Sequence, residues 1–326
     1  MKRRSCISVA FLVLALAACE KDGAAPKGSG ELGAEDKALF AVLPSGATAV
    51  FGGNYLKLQD FMSSTLGKTT TTMMEKYGPG MAEWTKCFVE IQTSSGIKHK
   101  LRIAGAANVT GSNGLDLRMV WSGMTLDDVT TCAQKGNFKV TLDDDKKFLT
   151  VELPPPSGTQ GYLLTSAGTL YVRQSMIISA APVITPSTRS ELETDLAASS
   201  KANVLSDQKM MALITKTDRT KTVWFAGSGA GTRAADKVGE VFGSFDLNNG
   251  IAVDVTAQVL DDAMLGKLED GVAELKKMSG QLPGNMKEIV SQLQFSRKSD
   301  HARFSIKVDD KQLADLIKQA GMFGVH

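Results

Sequence analysis

Apolar and polar positions fall into three regimes along this 326-residue chain. After Lys2, Arg3 and Arg4 comes an uncharged, largely apolar run from Ile7 to Ala18. Glu20 to Gly33, "EKDGAAPKGSGELG", then has almost nothing to bury. From Ala34 onward, apolar residues recur at spacings of two or of three and four, the periods of a half-buried strand and of an amphipathic helix. "AEDKALFAVL" predicts a short helix closed by Pro44, "ATAVFGG" a strand, and Asn54–Leu66 a helix with Tyr55, Leu58, Phe61 and Met62 on one side. The runs "CFVEIQ", "KHKLRIAGA", "LDLRMVW", "FKVTLD", "KFLTVEL", "YLLTSAG" and "TLYVRQ" predict antiparallel strands, separated by Gly, Asn, Asp or Pro turns. Pro154–Gly158, "PPPSG", predicts an extended loop.

Two stretches share an order of elements. "LRIAG" at Leu101 precedes "GLDLRMVW" at Gly114 and "LDD" at Leu126, while "VWFAG" at Val223 precedes "GIAVDVTA" at Gly250 and "LDD" at Leu260. Each is followed by a candidate hairpin, from Phe138 and from Phe295. The common order is strand, strand, a helix opening at the Asp pair, then hairpin, with helical insertion in the second copy; chance similarity among amphipathic strands is the alternative. Thr125 with Asp128, and Thr188 with Glu191, have capping-box spacing. Pro186 and the second box place a boundary between halves, with a helix running to about Ala202. The expected fold is α+β: antiparallel sheet in two related halves, 34–186 and 187–326, with helices on one face. Hydrophobic content of 43% and charged content of 22% are ordinary for such a body.

The leader has the build of a secretory signal peptide: basic start, short apolar run, small residues at Ala17-Ala18. Leu16-Ala17-Ala18-Cys19 resembles the lipobox of bacterial lipoproteins, and the resemblance implies cleavage after residue 18 and lipidation of Cys19. Three acyl chains on one residue would anchor the chain stably, where a single chain binds a bilayer only marginally. Residues 19–33 would then be a flexible tether averaging roughly 20 Å end to end. Glu20 is not the aspartate linked to inner-membrane retention in enteric bacteria, so by that resemblance the outer membrane is expected. No later uncharged apolar run is long enough to span a bilayer. The formal charge of +2 loses three positive residues with the leader and becomes −1, which leaves no nucleic-acid footprint.

Little in the body points to chemistry. His99, His301 and His326 stand far apart, without an acid and nucleophile signature. Gly227–Gly231, "GSGAG", follows a strand, but its spacing is wrong for a dinucleotide loop and it reads as a turn. Asp143-Asp144-Asp145 could attract Ca²⁺, yet beside Lys146 and Lys147 it reads as a solvated turn. Met73, Met74, Met81, Met210 and Met211 read as fillers of core gaps. No cofactor, metal or catalytic residue is expected. Cys6 departs with the leader, which leaves Cys87 and Cys132 in an oxidising compartment; they read as a structural disulfide, with two free thiols the alternative.

The opening of the body, "LPSGATAVFGGNYLKLQ", is similar to uncharacterised lipoproteins of myxobacterial type, and this resemblance carries no activity with it. The sequence therefore suggests a membrane-tethered, non-catalytic protein that binds or scaffolds a partner. A carrier of lipid or another hydrophobic ligand is the alternative, and an enzyme with unrecognised motifs the third reading.

Overall fold

The computed structural model describes residues 30–54, 57, 64, 67, 80–94, 101–110, 114–154, 158–177, 183–229, 235–248, 250–282 and 286–315. The leader, Cys19, the tether, His99, His326, Met73, Met74 and nearly all of the helix expected over Asn54–Leu66 lie outside these residues. In chain order the elements are α1 (Ala34–Phe40), β1 (Ala49–Asn54), α2 (Met81–Ser94), β2 (Arg102–Thr110), β3 (Gly114–Ser122), α3 (Leu126–Lys135), β4 (Lys139–Leu142), β5 (Phe148–Glu152), β6 (Thr159–Leu164), β7 (Leu170–Ile177) and β8 (Val183–Pro186). There follow α4 (Arg189–Ser199), α5 (Gln208–Ile214), β9 (Val223–Ser228), β10 (Val238–Asp246), β11 (Ile251–Val259), α6 (Asp262–Met278), α7 (Met286–Gln292), β12 (Gln294–Lys298) and β13 (His301–Val308).

The fold is α+β, built on one 13-stranded antiparallel sheet of order β12-β13-β11-β10-β9-β1-β2-β3-β7-β6-β5-β4, with β8 beside β7. Among the described residues, no helix is long and apolar enough to cross a membrane. Helices cover both faces of the sheet, not the single face expected. The strands explain why: β7, "LYVRQSMI", begins with three buried residues in a row and so has apolar groups to cover on both sides. On one face Val50, Ala104, Val120, Tyr171 and Trp224 pack under α1, α4 and α5. On the other, Val172 and Leu170 pack with α2 and α3, while Val259 and Phe304 pack with α6.

"CFVEIQ" is helical, not a strand. Its short window alternates, but Trp84, Cys87, Phe88 and Ile91 recur at helical steps and all join one core cluster. Both predicted capping boxes form, Thr125 with Asp128 at α3 and Thr188 with Glu191 at α4. The backbone N–H and hydroxyl of Thr188 donate to Glu191 and hold its carboxyl below the usual range.

The repeat is present in a different register from the one the sequence suggested. β1 and β9 pair antiparallel, and Phe51 stands directly opposite Phe225. One constant shift along the chain carries Leu39, Phe40, Thr48 and Phe51 onto Leu213, Ile214, Thr222 and Phe225. The same shift turns the pair Ala49–Gly227 into Gly53–Val223, and Val50–Ala226 into Gly52–Trp224, all of which are pairs in the ladder. A pseudo-twofold axis therefore passes through the two phenylalanines. It relates α1-β1-β2-β3-α3 to α5-β9-β10-β11-α6 within a single continuous sheet. "VWFAG" thus corresponds to β1, not to "LRIAG"; a long insertion separates β1 from β2 and hid the match. The segments from Gly114 and Gly250 are equivalent, as expected, and each leads into a helix near its Asp pair. The hairpins are not the expected counterparts: β13 lies beside β11, but the strand beside β3 is β7, so β6-β7 matches β12-β13. The β4-β5 hairpin and α2 are insertions in the first half, while α6 extends to 17 residues against 10 in α3. Leu265 is fully buried, with Leu268 and Val272 packed beside it.

The axis leaves a mark in two glycines. Gly105 pairs with Phe51, and Gly243 with Phe225. A Cβ at Gly105 would run into the Phe51 ring; one at Gly243 would meet the backbone carbonyl of Asp254 first, with the Phe225 ring closely beside it. Gly105→Ala is therefore expected to destabilise the protein by about 1–3 kcal/mol, the usual range for overpacking. The denaturant midpoint should fall, and Phe51→Leu in the same chain should restore part of it. A Gly105→Ala protein as stable as the parent would refute this account.

Candidate functional site

Cys87 and Cys132 are disulfide-bonded, with Cα atoms 5.3 Å apart. Both are fully buried between α2 and α3. His301 begins β13, where Asp300 meets its Nδ1 at 2.8 Å. Hydrogen bonds from Gln258 and His301 hold the Asp300 carboxyl below its usual range. Gly227 is a strand residue paired with Ala49. The acids of the β4-β5 turn are engaged by α4: Arg189 donates to Asp143 at 3.0 Å and to Asp145 at 2.8 and 2.6 Å. Met210 is buried in the core, and Met81 and Met211 pack at its edges. Among the described residues, no group of three or more potential ligands could hold a metal ion.

Two charged arrangements on the face shared by α1, α4 and α5 carry no sequence motif. In the first half, alternate residues of β3 and β7 place Asp116, Arg118, Tyr171 and Arg173 side by side, and α4 adds Asp195 from above. Arg118 Nε donates to Asp195 at 2.9 Å and its Nη2 reaches Asp116 at 2.9 Å. Arg173 Nε donates to Asp116 at 3.0 Å, and the Tyr171 hydroxyl donates to Asp195 at 3.2 Å. The side chains of Arg118, Asp116 and Asp195 are only 12%, 10% and 10% exposed. Burial opposes the Arg118 charge, but the hydrogen bond to Asp195 and the two nearby carboxylates outweigh it and leave its pKa raised. Burial and the Asp195 charge push the Tyr171 hydroxyl far up, so it remains a donor. With two positive and two negative groups the cluster is neutral, and it fastens α4 to the sheet.

The pseudo-twofold places a second arrangement at the corresponding position in the other half, and its chemistry differs. Ladder by ladder, Leu43 corresponds to Thr217, Ala106 to Ser244, Val120 to Thr256 and Tyr171 to Arg303. Positions that are closed core in the first half carry hydroxyls or charge in the second. Here Arg303 donates to Asp254 through Nε at 3.0 Å and Nη2 at 2.6 Å. A cavity of about 360 Å³ opens over Phe242, Ser244, Asp254, Thr256 and Arg303, walled by Thr215–Asp218 from the end of α5. A second, of about 490 Å³, shares Ser244 and Asp254 and continues over Ala252, Ser305 and Lys307 to Gln292 and Gln294. Their sizes fall in the range of ligand sites. Further pairs bound this cleft, Lys216 with Glu240 at 2.8 Å and Lys221 with Asp246 at 3.1 Å. Burial works against the Asp246 charge, but the Lys221 hydrogen bond and charge prevail and hold its carboxyl below the usual range.

Sequence reasoning missed both arrangements because their residues come from distant strands. The available signal was charge at alternate positions of otherwise apolar strands, Asp116 with Arg118 in "GLDLRMVW" and Arg173 in "TLYVRQ". The opposite face of the second half is apolar: Phe225, Val241, Phe245, Ile251 and Ile306 surround the buried Val253 and Val255. Among the described residues, no helix side chain joins that group. No protein family matches the chain, and no curated protein or solved structure matches it either.

Proposed function

We propose that this is an exported lipoprotein, anchored in a bacterial envelope membrane through Cys19, that holds a partner in the cleft over Asp254 and Arg303 in a non-catalytic binding role. The cleft carries the reading. At positions where the first half is packed core, the second half has Ser244, Thr256 and Arg303 around about 360 Å³ of open space, while Thr217 beside them donates its hydroxyl to the Ile214 carbonyl. A buried hydroxyl without a partner is costly, so replacing core by hydroxyls around a cavity favours a site that is filled by water or by a ligand. The Leu16–Cys19 pattern supports the anchor, and the outer membrane is the proposed location. A photo-crosslinking residue in place of Thr256 should yield a discrete light-dependent adduct in the intact envelope. The same group in place of Thr141, on the exposed strand β4, should not. Absence of an adduct at residue 256 would sink the cleft as a site for a protein partner.

One observation favours a second reading. The apolar strip around Val253 and Val255 suits an acyl chain, which would make the protein a carrier of lipid. Native mass spectrometry of the purified chain should then show co-purified lipid.

The anchor has its own test. A thioether lipid needs the Cys19 sulfur, so Cys19→Ser should abolish labelling by radioactive palmitate and release the product from membranes. A labelled Cys19→Ser protein would overturn the assignment.

A further inference from the structure

We propose that the occupant of the cleft is a neutral oligosaccharide, an inference that rests on the cleft being the binding site. The cleft's charges are balanced. Arg303 is paired with Asp254, Lys216 with Glu240 and Lys221 with Asp246, and the remaining Asp218 and Lys307 bring one charge of each sign to the two cavities. A strongly charged ligand would find no matching excess of opposite charge. An apolar ligand would strip water from the hydroxyls of Ser244 and Thr256 and from the Asp254–Arg303 pair, and would return no hydrogen bonds. The occupant is therefore uncharged and rich in donors and acceptors.

The sheet geometry separates a sugar from a peptide. Extended peptides gain affinity by joining the unpaired edge of a sheet. The cleft lies instead on the sheet face over β10, β11 and β13, whose backbones are already paired with one another, and reaches the edge strand β12 only at the Gln294 side chain. Recognition there falls to side chains. Asp254 and Arg303 lie in a two-bond fork, with carboxylate acceptors beside guanidinium donors, and Ser244 and Thr256 add groups that both donate and accept. Adjacent acceptors and donors of this kind suit neighbouring hydroxyls on a sugar ring, each of which also does both. The two cavities share Ser244 and Asp254, so the site is long enough for more than one ring.

The test uses the purified full chain in detergent against an array of neutral glycans that includes chitotetraose and maltotetraose, with hits quantified by calorimetry. At least one neutral glycan should bind, with affinity nearly unchanged between roughly 0.05 and 0.5 M salt, since no net charge is being screened. Thr256→Val with Ser244→Ala should weaken that binding by about tenfold or more while the thermal midpoint changes little. Should that variant fail to fold, Gln294→Leu at the exposed rim should weaken binding alone. Binding to none of the neutral glycans, or binding untouched by these substitutions, would overturn the proposal. The adduct formed at residue 256 tells the two failures apart. A protein adduct with no glycan binding removes the sugar and leaves the cleft as a site for a protein partner. Neither adduct nor glycan removes the cleft as well.

Discussion

Replacing Asp195 by alanine is expected to cost about 3–5 kcal/mol, the range for breaking one member out of a buried ion pair. Arg118 and Arg173 would be left to share Asp116, and the Tyr171 hydroxyl would lose its acceptor in a buried setting. Attraction within the cluster is not what sets this magnitude. It follows from the desolvation already imposed on a guanidinium that is 12% exposed and would lose one of its two counter-charges. The loss should therefore shrink if the charge is removed with its partner. Arg118→Met combined with Asp195→Leu should be closer to the parent than Asp195→Ala alone. Breaking the ion pair of the other half by Arg303→Ala should cost under about 1 kcal/mol, because that pair is 33% and 39% exposed at the edge of the cleft. Chemical denaturation of the variants measures all three. A loss below about 1 kcal/mol for Asp195→Ala would mean that water reaches the cluster and that α4 is not fastened by it.

That contrast between halves bears on what could be read from the chain. Strand periodicity and turns were legible because each is local. Both capping boxes formed where Thr125 and Thr188 announced them, since a cap is decided within four residues. "CFVEIQ" misled because six residues are too few to separate a period of two from one of three to four, and Trp84, three residues before Cys87 and outside the window, settles it. The repeat was visible as similar strands, but its register was not. Gly105 and Gly243 look like ordinary strand residues until the ladders bring Phe51 and Phe225 against them. The cleft was hidden more deeply. Ser244, Thr256 and Arg303 are unremarkable in an alternating strand, and become informative only when the axis shows that their counterparts Ala106, Val120 and Tyr171 are packed core.

Opening the Cys87–Cys132 bond is expected to lower stability by up to about 4 kcal/mol. The chain-entropy estimate for a loop spanning a separation of 45 residues sets this limit, and strain or residual structure in the unfolded chain reduces it. The bond joins α2 to α3 beneath Trp84, Phe88, Leu126 and Val129, so both sulfurs leave water on folding. Reduction restores to the unfolded chain the freedom of the whole segment between the two helices, which includes the strands β2 and β3. Melting with and without reductant should show the lower midpoint under reduction. The comparison with Cys87→Ala and Cys132→Ala together then separates the cross-link from packing, since the double variant also loses two buried sulfur atoms. The double variant should melt no higher than the reduced parent. Peptide mapping of the oxidised protein should recover the Cys87 and Cys132 peptides as one species that separates on reduction. Recovery of the two as separate, alkylated peptides without reductant would show that the bond does not form, and the reductant effect should then vanish as well.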